Sequence, residues 1–278
     1  MILVASLVVG ISPAGCAESG ESGNEPEYEY LDSLYQLYQP YLPNISAYEP
    51  IYFLVGVKPE KSKFQFSFKY RFFSRAGSLA GNHPWVQGFH FGYTQTSFWN
   101  LEANSLPFED TSYKPELFHL TRNVTSRPAW LQGLFFQSGI LHESNGQAGE
   151  LSRSTNILYL RTVFVLFRAN AKLGLGVAPK VWVYVDNSEN NSDLGDYRGN
   201  FELNFIMGKA DSLVLSSGFR LARAGGSVQV DLSYPVGNHV EDNLNIYLHA
   251  QYANALAESL IEYRDRTEAL RIGISFVR

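Results

Sequence analysis

Three residues that could together hydrolyse an ester lie close to one another in the middle of the sequence. His142 and Ser144 are two residues apart, and Asn156 follows after a short polar loop. Residues two apart on a β-strand point to the same face, so the histidine and serine side chains can meet. Ser144 as nucleophile, His142 as general base and Asn156 as the group that holds the imidazole tautomer would form a triad for acyl transfer.

The segments around this triad alternate between apolar and polar residues, which is the pattern of β-strands. In residues 64–72 the even-numbered side chains are aromatic, and the odd-numbered ones between them include lysine, arginine and glutamine. The same division recurs in residues 227–234 and 243–250. A face lined with charged residues is too polar for a soluble core, so the apolar face is predicted to lie outside, against lipid.

Such segments predict an all-β fold, a twelve-stranded antiparallel transmembrane β-barrel. The predicted strands are residues 49–58, 62–74, 85–100, 113–123, 128–145, 153–168, 171–186, 196–208, 211–222, 226–236, 242–255 and 260–277. An even number of strands places both termini on the periplasmic side, and the longer polar connections then fall outside the cell. The triad lies at the fifth connection, so its side chains are predicted on the outer face near the extracellular rim.

Composition disfavours several other classes of protein. A net charge of -5 and a pI near 5.7 offer no basic surface for nucleic acid. A mean hydropathy of -0.15 argues against a bundle of membrane-spanning helices. Aromatic residues make up 14% of the chain, which fits strands with one lipid-facing side; a soluble β-sandwich or a lipocalin-like barrel is the alternative.

The N-terminal region is predicted to be separate from the barrel. Residues 1–16 have the apolar stretch and small residues of a secretory signal peptide, but they lack its positively charged start, so the true start could lie upstream. The single cysteine, Cys16, is expected to be lost with this peptide or to remain a free thiol. Residues 17–48 are predicted to form a periplasmic segment, and residues 49–278 the barrel.

The sequence around the triad resembles the outer-membrane phospholipase A family of Gram-negative bacteria. That family has a His-x-Ser-Asn-Gly strand, then a loop serine and a downstream asparagine. The residues that match in type and spacing are His142, Ser144, Asn145, Gly146, Ser152 and Asn156. The resemblance extends to YTQTSFW (93–99), LPFEDTSYKPELF (106–118) and ESLIEYRDRT (258–267). It implies a calcium-dependent hydrolase of phospholipid acyl esters, of the phospholipase A1/A2 and lysophospholipase type, that acts in the outer leaflet of the outer membrane as a homodimer.

The resemblance also implies roles for residues beyond the triad. Calcium would be held by the side chain of Ser152 and the backbone carbonyl of Gln147, which are hard oxygen ligands. The ion, together with backbone amides at Ser144 and Gly146, would stabilise the oxyanion.

Two further expectations concern a partner subunit. The family supplies a calcium-ligating serine from the partner just before a Pro-Phe pair, where this sequence has Leu106; Ser105 or Glu109 could take its place. Gln95 corresponds to a membrane-embedded glutamine of the family's dimer interface, and its strand turns the same face outward as neighbouring aromatic residues. An unpaired glutamine near the headgroups is the alternative reading of this residue.

Two other classes of protein stay open on the sequence. A nonenzymatic outer-membrane barrel, either a pore or a structural protein, could have this fold, and the three polar residues would then form a rim patch in contact with headgroups. Single-channel conductance without esterase activity would favour that class. An outer-membrane protease is a weaker fit, because no acidic pair accompanies a histidine at a matching position on the rim.

Overall fold

The computed structural model describes residues 41–74, 77–168, 172–238 and 244–278. The predicted signal peptide with Cys16, and residues 17–40 of the predicted periplasmic segment, lie outside the described residues. None of the described helices is long and apolar enough to cross a membrane.

Antiparallel strands make up most of the described chain. In order they are β1 (Ile45–Ala47), β2 (Ile51–Gly56), β3 (Ser62–Arg71), β4 (Phe89–Trp99), β5 (Phe108–Leu120), β6 (Gly133–Ser144), β7 (Ser154–Arg168), β8 (Leu173–Asn187), β9 (Phe201–Gly208), β10 (Val214–Ala222), β11 (Gly225–Pro235), β12 (Tyr247–Leu256) and β13 (Arg266–Val277). Two short α-helices, α1 (Ser78–Asn82) and α2 (Leu194–Arg198), lie in connections. Short 3₁₀ helices span Leu42–Asn44, Pro59–Lys61, Pro84–Gly88, Gly149–Leu151, Glu189–Asn191 and Val236–Asn238.

The sheet closes on itself and forms a barrel. Each strand from β2 to β12 pairs with the next one along the chain, and β13 returns to pair with β2, so the barrel has no free edge. The prediction of a twelve-stranded antiparallel barrel is therefore confirmed. The short strand β1 pairs with the end of β3 beyond the part that β2 covers, with Ile45 opposite Tyr70.

The ends of several strands differ from the predicted ones. β5 begins at Phe108 rather than at 113, because its polar first residues continue to pair with β4 beyond the apolar stretch. β6, β9 and β13 begin later than predicted, at Gly133, Phe201 and Arg266. Before β6, Arg127 donates to two carbonyls of a turn, that of Leu131 at 2.8 Å and that of residue 124 at 2.6 Å. Helix α2 precedes β9, and a turn precedes β13.

The two faces of the barrel wall have the polarity that the sequence predicts. Phe66 and Ile140 on the outer face are 47% and 59% exposed. Lys63 and Ser67, which alternate with the aromatic residues of β3, are buried toward the lumen. Burial of charged side chains on the inside and exposure of apolar ones on the outside are the reverse of a soluble barrel.

Polar side chains fill much of the lumen. Arg271, fully buried, donates to Gln251 at 2.9 Å and to the two carboxylate oxygens of Glu258 at 2.8 and 3.0 Å. Glu258 also pairs with Lys63 at 3.1 Å. A cavity of about 280 Å³, lined in part by Lys63 and Glu258, remains in the lumen. Buried charges paired in this way brace the wall from inside.

An apolar cluster covers the end of the barrel where the triad lies. Leu194 of α2 packs with Leu260 and Tyr263 of the connection between β12 and β13, and both leucines are fully buried. Tyr184, which lines the lumen cavity, packs against the cluster from below. The two connections therefore form a cap over this end of the lumen.

Candidate active site

The pairing of β6 with β7 brings the predicted triad together on the outer face. His142 lies directly opposite Asn156, and Ser144 lies directly opposite Ser154. His142 Nδ1 and Asn156 Oδ1 are 2.8 Å apart. Because an amide oxygen can only accept, Nδ1 carries the hydrogen, and the other ring nitrogen, Nε2, is left able to accept a proton.

Ser144 shares the outer face with His142, and both side chains are half-buried. No hydrogen bond joins the two side chains in the described part of the chain. Catalytic hydrogen bonds are often long or poorly aligned without substrate and tighten when it binds. The arrangement thus holds a serine, a histidine and an asparagine in the order that acyl transfer uses.

The residue between the histidine and the serine points the other way, into the lumen. Glu143 is 5% exposed and accepts a hydrogen bond from Arg198 at 2.5 Å. Ser112 also donates to this carboxylate, and Lys114 lies 3.7 Å from it. The end of β6 is therefore held from inside by a charged cluster.

Asn145 organises the loop that follows Ser144. Its side chain is buried, its Nδ2 donates to the carbonyl of Leu151 at 2.9 Å, and its Oδ1 accepts from the amides of Gln147 and Arg153 at 3.3 and 3.0 Å. One side chain thus fixes both ends of the loop. Asn145 of the Ser-Asn-Gly motif therefore has a structural role in this loop.

Two features require glycine at position 146: its backbone conformation and the nearby ring of Tyr113. Its φ is +67°, a left-handed conformation that favours glycine. A Cβ at this position would lie 2.9 Å from the ring of Tyr113, which is opposite Ser144 on β5. The absence of a side chain therefore lets the chain turn close beside Ser144.

A β-bulge stands next to Asn156. Asn156 lies opposite Asp186 of β8, and the register shifts before Ile157, which lies opposite Tyr184. Val185 and Asp186 are consequently both exposed, although successive strand residues normally alternate. The bulge places a carboxylate on the outer surface beside the triad asparagine, and the strand period alone could not have predicted it.

The predicted calcium ligands lie in and near the 145–153 loop. Ser152 is half-buried and Gln147 is exposed. The Ser152 carbonyl accepts from Arg153 and Asn190 at 3.0 and 3.1 Å, whereas the Ser152 hydroxyl and the Gln147 carbonyl have no hydrogen-bond partner among the described residues. These two oxygens are hard ligands without partners, so they fit a calcium ion. No cluster of three or more His, Cys, Asp or Glu side chains occurs in the described ranges.

The residues predicted to face a partner subunit lie on β4 and in the connection after it. Ser105 and Leu106 are exposed and have φ values of 67° and 45°. Gln95 lies half-buried on the outer face, where its Oε1 accepts from Tyr93 at 3.1 Å and its Nε2 donates to Ser97 at 3.4 Å. Its amide thus has hydrogen bonds within its own chain.

Sequence reasoning missed the groups that support the triad. The inward direction of Glu143 follows from strand alternation, but its partner Arg198 comes from a connection 55 residues away. Asn190 and Asn191, from the same connection, donate to the carbonyls of Ser152 and Ser154. Such contacts across long separations leave no local pattern in the sequence.

The chain is similar to phospholipases A1 over most of its length. The family model described as phospholipase A1 matches residues 38–276. The phospholipase A1 of Escherichia coli (strain K12) is 32% identical over 185 residues, which cover 66% of this chain and 60% of that protein. A putative phospholipase A1 of Neisseria meningitidis serogroup B is 28% identical and is covered over 48% of its length. The chain thus spans less than two thirds of the length of these curated relatives.

Solved structures resemble the whole barrel. The outer membrane phospholipase A of Escherichia coli aligns with a TM-score of 0.68 at 25% identity, over 84% of this chain and 98% of that one. The outer membrane phospholipase of Salmonella typhi, solved as a dimer with bound calcium, aligns with a TM-score of 0.66 at 25% identity, over 84% of this chain and 92% of that one.

Proposed function

Because the chain belongs to the phospholipase A1 family, we propose that it hydrolyses acyl ester bonds of phospholipids in the outer leaflet, in a calcium-dependent reaction of the phospholipase A1/A2 and lysophospholipase type. Its barrel is that of a Gram-negative outer-membrane protein. The observation that carries the proposal is the arrangement of three side chains on the outer face. Asn156 Oδ1 lies 2.8 Å from His142 Nδ1, and Ser144 is two residues after His142 on β6. A lipid ester at the rim would meet Ser144 directly.

The triad residues would act in the usual sequence of acyl transfer. Ser144 Oγ attacks the ester carbonyl carbon, while His142 Nε2 accepts the hydroxyl proton and passes it to the leaving alcohol oxygen. Asn156 accepts from Nδ1–H and so keeps Nε2 available for that proton. Water then attacks the acyl-enzyme with His142 again as base, which releases the fatty acid and restores the serine hydroxyl.

The loop after Ser144 would bind the developing oxyanion. Backbone amides at Ser144 and Gly146 are the donors we assign to it, and the left-handed turn at Gly146 is what allows the chain to present them. Ser152 and Gln147 would hold calcium through the two oxygens that lack hydrogen-bond partners. Bound there, the ion would add positive charge beside the carbonyl oxygen that becomes negative.

The active state is proposed to be a homodimer that meets along β4. Gln95 would exchange its present hydrogen bonds for bonds with its counterpart in a second copy, which an amide surrounded by lipid favours. Ser105 is the residue we assign as a calcium ligand toward the partner, since Leu106 has no side-chain oxygen. The Salmonella typhi relative, solved as a dimer with bound calcium, supports a calcium-bound dimer.

An open pore is the less supported alternative. The lumen is crossed by ion pairs such as that of Arg271 with Glu258, and a cavity of about 280 Å³ lies among the described side chains. The apolar cluster around Leu194 and Leu260 covers the end nearest the triad. A conducting barrel would need a continuous water path along its axis.

Hydrolysis by the detergent-refolded protein tests the proposal. We expect release of fatty acid from a diacyl phospholipid in mixed micelles with calcium, and a loss of about 10³-fold or more in Ser144→Ala. Ser138→Ala is the matched control, because Ser138 is exposed on the outer face of the same strand and far from the triad. It should retain wild-type activity.

Each departure from this result has a distinct meaning. Activity that is unchanged by EDTA would preserve the triad and contradict the calcium site. Equal activity from a fully monomeric protein would contradict the dimer. Absence of hydrolysis by a folded dimer with calcium would contradict the enzyme and leave the nonenzymatic barrel.

A further inference from the structure

The connection between β8 and β9, residues 188–200, contacts β6, β7 and the loop between them at two places. On the lumen side, Arg198 Nη1 donates to Glu143 Oε2 at 2.5 Å and Nη2 to Oε1 at 3.5 Å. This is a forked contact of a guanidinium with a carboxylate, and both side chains are largely buried. Glu143 is the residue between His142 and Ser144.

At the second place, the same connection bonds to the backbone of the site loop and of β7. Asn190 Nδ2 donates to the carbonyls of Gly149 and Ser152 at 3.0 and 3.1 Å. Asn191, fully buried, donates to the carbonyl of Ser154 at 3.0 Å and accepts from its amide at 3.1 Å. Ser154 is opposite Ser144, so these bonds fix the backbone of β7 at the position that faces Ser144.

The connection is itself well anchored at its helix. Leu194 at the start of α2 is fully buried in the apolar cap. Gly199 ends the helix with a φ of 75°, and a Cβ there would lie 1.9 Å from the carbonyl oxygen of Leu221. Tyr184 donates to the Gly199 carbonyl at 2.9 Å. Arg198 is therefore presented to Glu143 from a rigid support.

We propose that residues 188–200 act as a clamp for the catalytic strand pair, with Glu143 and Arg198 as positioning residues for the nucleophile and base. This inference rests on the proposed function and adds the supporting groups to it. Lipid is fluid and cannot hold a side chain on the outer face in one direction. Apart from the Asn156 hydrogen bond to the imidazole, the positions of His142 and Ser144 therefore depend on the backbone between them, and the Glu143 side chain locks this backbone from inside. A displacement of about 1 Å in such a site can cost up to about 100-fold in rate.

Variants of the lumen contact test the clamp. In Arg198→Gln and Glu143→Gln we expect kcat for phospholipid hydrolysis to fall about 10- to 100-fold, with KM within about twofold of wild type, because the reacting groups shift and the lipid-binding surface does not. Arg198→Lys keeps the charge but loses the fork, so its kcat should lie between those of wild type and Arg198→Gln. Folded protein is quantified in each case by the heat-dependent shift in gel migration.

Glu258→Gln is the matched control. Glu258 is also a buried lumen carboxylate that pairs with cations, but among the described residues its partners Lys63 and Arg271 form no hydrogen bond or ion pair with β6. Its activity per folded molecule should stay within about twofold of wild type. The clamp is wrong if Arg198→Gln and Arg198→Lys, both folded, are as active as this control. A wild-type protein without hydrolysis would instead overturn the proposed function, and the clamp with it.

Discussion

Polar side chains point from β6 both into the lumen and to the outer face, and they differ in how many polar partners they have. On the lumen side, Glu143 has contacts with Ser112, Lys114 and Arg198, and it is 5% exposed. On the outer side, His142 has one hydrogen-bonded partner, Asn156. Polarity alone therefore does not separate the structural from the reactive groups. The number of hydrogen-bond partners distinguishes them, because a group that must exchange protons needs a donor or acceptor position that is not already hydrogen-bonded.

The largest effect expected is on the outer face. Asn156→Ala removes the acceptor of the His142 Nδ1 hydrogen, so the imidazole can turn and adopt the wrong tautomer. We expect hydrolysis to fall about 10²- to 10⁴-fold, with no change in the amount of folded barrel. Asn254→Ala is the control. Asn254 is near the end of β12 that leads to β13, and it accepts a hydrogen bond from Arg266 at 2.7 Å. If the two variants were equally active, the triad role of Asn156 would be wrong.

The lumen should respond in stability and not in chemistry. Arg271→Met removes a fully buried cation and leaves Glu258 with fewer partners, which costs about 3–5 kcal/mol of unfolding free energy. Activity per folded molecule should change by less than about twofold. Denaturant unfolding followed by tryptophan fluorescence measures the first quantity, and Arg223→Met, at an 86% exposed side chain, is the control. Loss of activity without loss of stability in Arg271→Met would contradict the claim that the lumen residues affect stability and not chemistry.

The smallest effect is expected at the cap. Hydrogen bonds from Arg264 and Tyr263 hold the pKa of Asp193 below its usual value. A carboxylate with a lowered folded-state pKa adds stability above its unfolded pKa, and this contribution disappears as the pH falls through the folded value. Asp193→Asn should therefore lower the unfolding midpoint slightly at pH 7, and this difference should shrink as the pH falls through the folded-state pKa. The contribution is small because the pair is exposed to solvent. A difference that persisted in acid would contradict this origin.

The sequence predicts the wall of the barrel better than its ends. Alternation identifies β3 and β11 because lipid on one side and charge on the other impose a period of two. This alternation does not identify the start of β5 at Phe108, because residues beyond the membrane have no lipid to face. The last three residues of helix α2, 196–198, fall where a strand is predicted, because the helix that begins at Leu194 packs into the cap instead of the wall.

The same division holds for the candidate site. His142, Ser144 and Asn156 can be placed on one face from the strand period and the length of the loop between them. The outward turn of Asp186 depends on a bulge, and the contact of Arg198 with Glu143 depends on how a distant connection folds back. Neither has a local sequence signal.

Covalent labelling of the folded protein tests most directly the claim that the chemistry resides on the outer face of β6. A long-chain fluorophosphonate, added to the refolded protein with calcium and mapped by peptide mass spectrometry, should modify Ser144 in wild type and no serine in Ser144→Ala. Labelling should be much slower in Asn156→Ala and unaffected in Arg271→Met. An adduct on a lumen serine, or no adduct on a folded and calcium-bound dimer, would contradict the account.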